Sequence, residues 1–317
     1  MRLPGFVLVC ICILFATFTF FKELHKKERP LLLVATPAPQ VELLPLYIGV
    51  CLGYFEFNGV EVRLISSADY DSKQKQQVLH ACEIEDVIYA RAFNGDKSVA
   101  ITLLSERDCA LLLGRSPEPF TWDKTRDKSI ITAGPSSATT AILEEILREN
   151  KIRPHREVTL MQNIPEELRI TAFLSGTADY IVAPEPTATV LIQQKKAFLA
   201  ARIGNGAPLP RAVIAADEKW ATENQALVAS FEDSLNRARA FIYSHPPAEI
   251  AWLTGPFFPH VSLSTMEKAI ARGQNNKTWG LSRKPSADSF NRLQEILNRA
   301  GELPRPLAYE EVFKGRK

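Results

Sequence analysis

The sequence alternates apolar runs of four to six residues with longer stretches whose apolar residues recur at helical spacing, which limits it to layered α/β architectures. Residues 31–35, all Leu, Val or Ala, end at Pro37 and Pro39 and read as a buried parallel strand with a loop at its carboxyl end. A helix is expected over residues 46–55, and Asn58-Gly59 then turns the chain into an alternating strand at 60–65. Further strands are expected at 98–104, 110–113, 129–132, 158–161 and 212–215. Amphipathic helices are expected at 139–150, burying Ile142, Leu143, Ile146 and Leu147, and at 227–243, burying Phe231, Leu235, Ala238 and Ile242.

Two segments share one pattern. Residues 73–82 read as a helix, followed by a turn at Glu83-Ile84-Glu85-Asp86 and a strand at Val87-Ile88-Tyr89-Ala90. Residues 166–175 read as a helix, followed by Gly176-Thr177-Ala178-Asp179 and a strand at Tyr180-Ile181-Val182-Ala183. The repeat implies two similar α/β lobes in one chain. Ligands of open α/β sheets sit outside the carboxyl ends of the strands, so residues 91–94 and Pro184-Glu185-Pro186 are expected at a shared cleft.

Composition narrows the class. At 317 residues, 46% apolar and 23% charged, the chain is neither a disordered tract, a small disulfide scaffold nor a multi-span membrane protein. Of 38 basic and 36 acidic residues, five basic and two acidic ones lie in residues 1–30. The rest carries 33 against 34, a near-neutral body with no electrostatic signature of nucleic-acid binding. Residues 3–21 are almost continuously apolar and uncharged. At about 1.5 Å per residue, such a helix approaches the roughly 30 Å hydrocarbon thickness. Residues 1–30 therefore read as a signal or membrane anchor. An uncleaved anchor is favoured, because no small-x-small cleavage site or lipobox is present. Lys26, Lys27 and Arg29 on its far flank run against an exported body. The body cysteines Cys51, Cys82 and Cys109 show no zinc spacing with the histidines and read as small buried hydrophobes. Neither a metal nor a cofactor is expected.

Several stretches resemble a known family. Cys51-Leu52-Gly53-Tyr54-Phe55-Glu56-Phe57-Asn58-Gly59-Val60-Glu61-Val62 is similar to the early Gly-Tyr-Phe, acidic, Gly, Val motif of ABC-transporter solute-binding proteins in the nitrate/sulfonate/taurine and thiamine-pyrimidine-precursor group. Leu174-Ser175-Gly176-Thr177-Ala178-Asp179-Tyr180, with Pro184-Glu185-Pro186 after it, resembles that family's second-lobe motif. Trp122-Asp123-Lys124 through Ser129-Ile130 resembles the segment entering that lobe, and residues 220–231 its return helix. The matches run in order over residues 31–300. In the first lobe the expected turn glycine is missing from Ala81-Cys82-Glu83-Ile84-Glu85-Asp86.

The resemblance implies a two-lobed type II periplasmic-binding-protein-like α/β fold, each lobe a mixed sheet flanked by helices, with two hinge crossings. Lobe 1 would comprise residues 31–120 plus 216–317, and lobe 2 residues 121–215. It further implies a non-enzymatic importer component on the outer face of the cytoplasmic membrane, anchored or secreted. Its partners would be a small polar or heterocyclic ligand and the permease and ATPase subunits. The rivals are a chorismate-dehydratase-like lyase on the same fold and a non-transport ligand sensor.

The expected ligand contacts are Pro37, Arg91, Asn94, Ser136, Ser137, Ala138, Thr139, Asn163 and Glu185. Gly134-Pro135-Ser136-Ser137-Ala138-Thr139 lies between a strand and a helix, where unpaired N–H groups, hydroxyls and the helix dipole suit an anion or polar head group. Ordinary N-capping by Ser136 or Ser137 is the alternative. Glu185, flanked by prolines, would meet a ligand amine, pair with an arginine across the lobes or bond the hinge. Asp86 and Asp179 read as turn or cap residues. Tyr54, Trp252, Phe257, Phe258 and Trp279 are core residues by default, with ring stacking on a ligand as the alternative.

Overall fold

The computed structural model describes residues 29–68 and 77–314, so the N-terminal apolar segment, with Cys10 and Cys12, and residues 73–76 lie outside the described residues. Among the described residues no helix is long and apolar enough to cross a membrane.

Two five-stranded sheets organise them. The first contains β1 (Leu31–Thr36), β2 (Glu61–Ser66), β3 (Val78–Glu83), β4 (Ser98–Leu103) and β10 (Ala212–Asp217) in the order β2-β1-β3-β10-β4. The second contains β5 (Leu111–Gly114), β6 (Ser129–Ile131), β7 (Thr159–Met161), β8 (Tyr180–Ala183) and β9 (Phe198–Arg202) in the order β7-β6-β8-β5-β9. Each sheet has three parallel strands, and its fourth position holds an antiparallel strand delivered by a crossing: β10 beside β3, and β5 beside β8. This is the two-lobed mixed-sheet architecture expected. The crossing into the second sheet comes earlier than residue 120, because β5 already pairs with β8 and β9 there.

Sheet order carries the likeness of the lobes; the repeated helix-turn-strand pattern does not. Residues 78–83 form strand β3, with Val78, Leu79 and Ala81 buried between β1 and β10. Residues 84–94 form helix α3, after α1 (Leu44–Cys51) and α2 (Tyr54–Phe57). A four-residue apolar run does not distinguish strand from helix by itself. Here Asp86 accepts the Glu83 N–H at 3.2 Å to fix the helix start, and Ile84, Val87 and Ile88 fall on one buried face. Gly95, at φ +63°, ends it. The missing glycine at 83–86 therefore belongs to a strand-to-helix junction. In the second lobe the expected pattern is present: α5 (Glu166–Leu174) follows α4 (Ala138–Glu149), and Gly176 at φ +100° leads into β8.

The remaining helices are α6 (Thr187–Gln193), α7 (Glu218–Glu223), α8 (Gln225–Ser244), α9 (Pro247–Thr254), α10 (Leu263–Asn276), α11 (Ala287–Arg299) and α12 (Tyr309–Val312). Helices α1, α8, α9 and α10 share one apolar core with the first sheet, where Phe55 stacks on Phe231 at 5.0 Å. A second core joins α4 and α11 across the lobes. The crossings touch each other: a Cβ at Gly204 would meet the Asp108 carbonyl oxygen at 2.1 Å. Gly204→Ala is expected to push the crossings apart and destabilise by about 1–3 kcal/mol, the cost of overpacking a closed contact. A thermal melt within experimental error of the parent would refute this.

Candidate functional site

A cavity of about 320 Å³ lies between the lobes, at the carboxyl ends of β1, β3, β6 and β8. Wider hollows exist on outer faces, as beside Ala221, Gln225 and Lys314. The interlobe one stands apart because both lobes wall it, in the place where open α/β sheets bind ligands. The first lobe contributes Gln40, Glu42 and Glu83, and the second Ser137, Glu166 and Arg169.

A buried ion network forms its floor. Arg211, just before β10, holds Glu85 and Glu83 at 3.2 Å each and Asp108 at 3.4 Å. Thr139 Oγ1 donates to Asp108 Oδ2 at 2.6 Å and accepts from Arg211 Nη2 at 3.0 Å. Glu85 Oε1 accepts the Ala138 N–H, at the start of α4, at 2.8 Å. Both crossings, β3 and the leading turn of α4 therefore meet at one guanidinium. Burial alone would lower the Arg211 pKa, but Glu85, Glu83, Asp108 and Glu42 together raise it. Burial pushes Glu83 up against the opposing pull of Arg211. Glu42 is raised to about 7, first by burial and then by repulsion from Asp108. Its side chain accepts the Cys109 N–H at 3.2 Å.

Arg169 forms the opposite wall, with Nε donating to the Ile164 carbonyl at 3.1 Å. It lies tight against Gly134, where a Cβ would be 2.8 Å from Nη2 and the φ of +117° already disfavours a side chain.

The expected contacts divide. Ser137 and Thr139 line the cavity, and Ala138 between them does not, its N–H being held by Glu85. Ser136 turns away, its hydroxyl donating to Glu302 at 2.9 Å. Pro37 is half-buried at the end of β1, while Asn163 and Asn94 are exposed, all away from the cavity lining. Arg91 is not at the cleft either, because residues 84–94 are helical. It donates to the Ser98 carbonyl at 3.1 Å and pairs with Glu218 at 3.5 Å.

Glu185 crosses the lobes to an arginine. Its Oε1 accepts from Arg272 Nε on α10 at 2.8 Å, and its Oε2 from the N–H and hydroxyl of Thr189 at 3.0 and 2.7 Å. Both carboxylate oxygens are thus engaged by the protein. Asp86 and Asp179 are cap and tether residues; Asp179 accepts from the Ser129 N–H and hydroxyl at 2.9 Å.

None of the aromatics lines the cavity, and most of them pack. Trp279 is fully buried with Nε1 bonded to Val41 O, Phe257 stacks on Tyr47, Tyr54 lies under Arg237, and Trp252 is exposed outside the cavity. Of the body cysteines, all free, Cys109 is buried, Cys82 half-buried and Cys51 exposed. Among the described residues no group of three or more His, Cys, Asp or Glu side chains could hold a metal ion.

Sequence reasoning missed Glu42, Glu83, Glu85, Asp108, Arg169 and Arg211. One signal was available: Arg211 sits directly before an apolar strand, where a charge entering a core needs partners.

No family model matches the sequence. "Putative binding protein YtlA" of Bacillus subtilis (strain 168) is 22% identical over 311 residues, covering 96% of this chain and 93% of that one. A ligand binding component of an ABC-type import system from Staphylococcus aureus, with zinc bound, superposes with a TM-score of 0.73 at 11% identity over 90% and 97% of the chains. The alkanesulfonate-binding protein SsuA from Xanthomonas axonopodis pv. citri, bound to MOPS, gives 0.68 at 16% over 91% and 99%. The desulfurization enzyme DSZB gives 0.67 at 12% over 90% and 97%. At these identities the solved structures establish the fold alone.

Proposed function

We propose that this chain is the solute-binding component of an ABC importer. It captures a small polar or heterocyclic solute between its lobes and presents the closed form to a permease with its ATPase subunits. The observation that carries the reading is the interlobe cavity at the strand ends, walled by both lobes. A ligand touching both walls binds the closed arrangement better and shifts the population toward it. Supporting this are the binding-protein names among the structural neighbours and the full-length similarity to YtlA. The proposed ligand shell is Glu42, Glu83, Ser137, Thr139, Glu166 and Arg169. An extracytoplasmic body tethered through residues 1–30 belongs to the same proposal.

A thermal-shift screen against a broad panel of small metabolites tests it. A true ligand at 100 times its dissociation constant is expected to stabilise by about 2.7 kcal/mol. Silence across the panel would count decisively against solute capture.

One observation favours a second reading. Glu42, raised to about 7 within the cleft, has the poise of a general acid or base, and one structural neighbour is an enzyme. Mass spectrometry of each stabilising compound after incubation separates the two: capture leaves it intact, and catalysis converts it.

A further inference from the structure

The cleft has the equipment of an anion site, and the protein's own carboxylates occupy it. Helix α4 opens onto the cavity, but its leading N–H, on Ala138, is taken by Glu85. The Thr139 hydroxyl, the next donor, is given to Asp108. The Arg211 guanidinium is surrounded by Glu83, Glu85 and Asp108. An arriving nitrate or sulfonate would have to displace carboxylates that are already paired, in a pocket whose lining carries four acidic side chains (Glu42, Glu83, Asp108, Glu166) against two arginines.

Glu42 is the independent observation. It lies on the cavity wall, is nine-tenths buried, and accepts a hydrogen bond from the Cys109 N–H. Among the described residues no salt bridge reaches it: Arg211 makes its direct contacts with three neighbours and acts on Glu42 only through space. A carboxylate held out of water with no cation in contact is costly, and a cation that docks on it offsets part of that cost. Arg211 fills the centre of the other carboxylates, where a metal ion would have to sit.

We infer that the cavity takes a small organic cation, a primary amine, amidine or guanidine, whose protonated nitrogen docks on Glu42 with Glu83 and Asp108 beside it. Arg169 on the far wall directs any polar or negative end of the ligand away from Glu42. The inference rests on the solute-capture reading and names its ligand class.

The test uses matched probes on the intact chain: butylamine, benzamidine and agmatine against butanesulfonate, benzoate and nitrate, by thermal shift and calorimetry at pH 7.5. The cations are expected to stabilise and bind, and the anions not. Glu42→Gln, which keeps shape and removes charge, is expected to weaken cation binding about tenfold or more. Its melting temperature without ligand should equal or exceed the parent's, which shows that the variant is folded. Glu83→Gln provides a second reading, with a smaller loss because Arg211 already shares that carboxylate. Binding of the anions, tightened by Glu42→Gln, would overturn the inference and leave solute capture standing. No response to either class would overturn the cation assignment, while solute capture stands or falls on the broad metabolite panel.

Discussion

Replacing Arg211 by methionine is expected to cost about 3–5 kcal/mol of stability at neutral pH, the toll of stranding buried charges. The side chain is 5% exposed and is the shared partner of Glu83, Glu85 and Asp108. Methionine fills much of the same volume, so lost packing contributes little and the loss is electrostatic. The sign of its pH dependence follows. Acids whose folded-state pKa is raised bind more protons folded than unfolded, so stability falls as pH climbs through that window. The parent already has such groups in Glu42, raised from 4.5 to about 7, and Glu83, raised to about 8. Removing the guanidinium takes away the pull that holds its partners charged, so they shed charge by taking protons. The deficit of Arg211→Met should therefore be smaller at pH 5 than at pH 7.5. Urea denaturation at both values measures it; a loss under 1 kcal/mol, or one equal at both, would show that the guanidinium is not the hub.

Arg272→Met should have the next largest effect. It removes the partner of Glu185, whose side chain is 2% exposed, and so leaves a buried carboxylate with only Thr189 for support. A loss of about 3 kcal/mol is expected. The bond joins α10, packed on the first sheet, to the start of α6 in the second lobe, and Thr265 donates to Gln193 beside it at 2.5 Å. Breaking it should loosen the lobes as well as destabilise them, seen as a larger radius of gyration in solution scattering. Adding Glu185→Gln removes the second charge and should recover part of the loss. A coupling energy near zero in that double-mutant cycle would remove the pair from any role in lobe contact.

These two arginines also mark where the sequence stops being legible. Periodicity and turn residues located the strands at 31, 61, 98, 111, 129, 159, 180 and 212, because each is a short buried run whose signal is local. The same local reading failed at 78–94, where the burial of Val78 and Leu79 between two distant strands decides the matter. Strand β9 went unseen because it is half-exposed and lacks β-branched residues. Ser137 and Thr139 were legible as residues of a loop at the strand ends, where they line the cavity, but the cavity's charge was not. Glu85 and Arg211 are 126 residues apart, and Glu185 and Arg272 are 87 apart. No local spacing encodes such pairs. The near-neutral body conceals the outcome as well: basic and acidic residues balance over the whole chain, while the cavity lining does not.

The central claim is that one ligand is held between the two lobes, and a crystal structure with the most stabilising compound of the screen tests it most directly. The compound is expected inside the cleft, in contact with Glu42 on one lobe and with Arg169 or Ser137 on the other. Density on an outer face of a single lobe, with the cleft unengaged, would contradict the account.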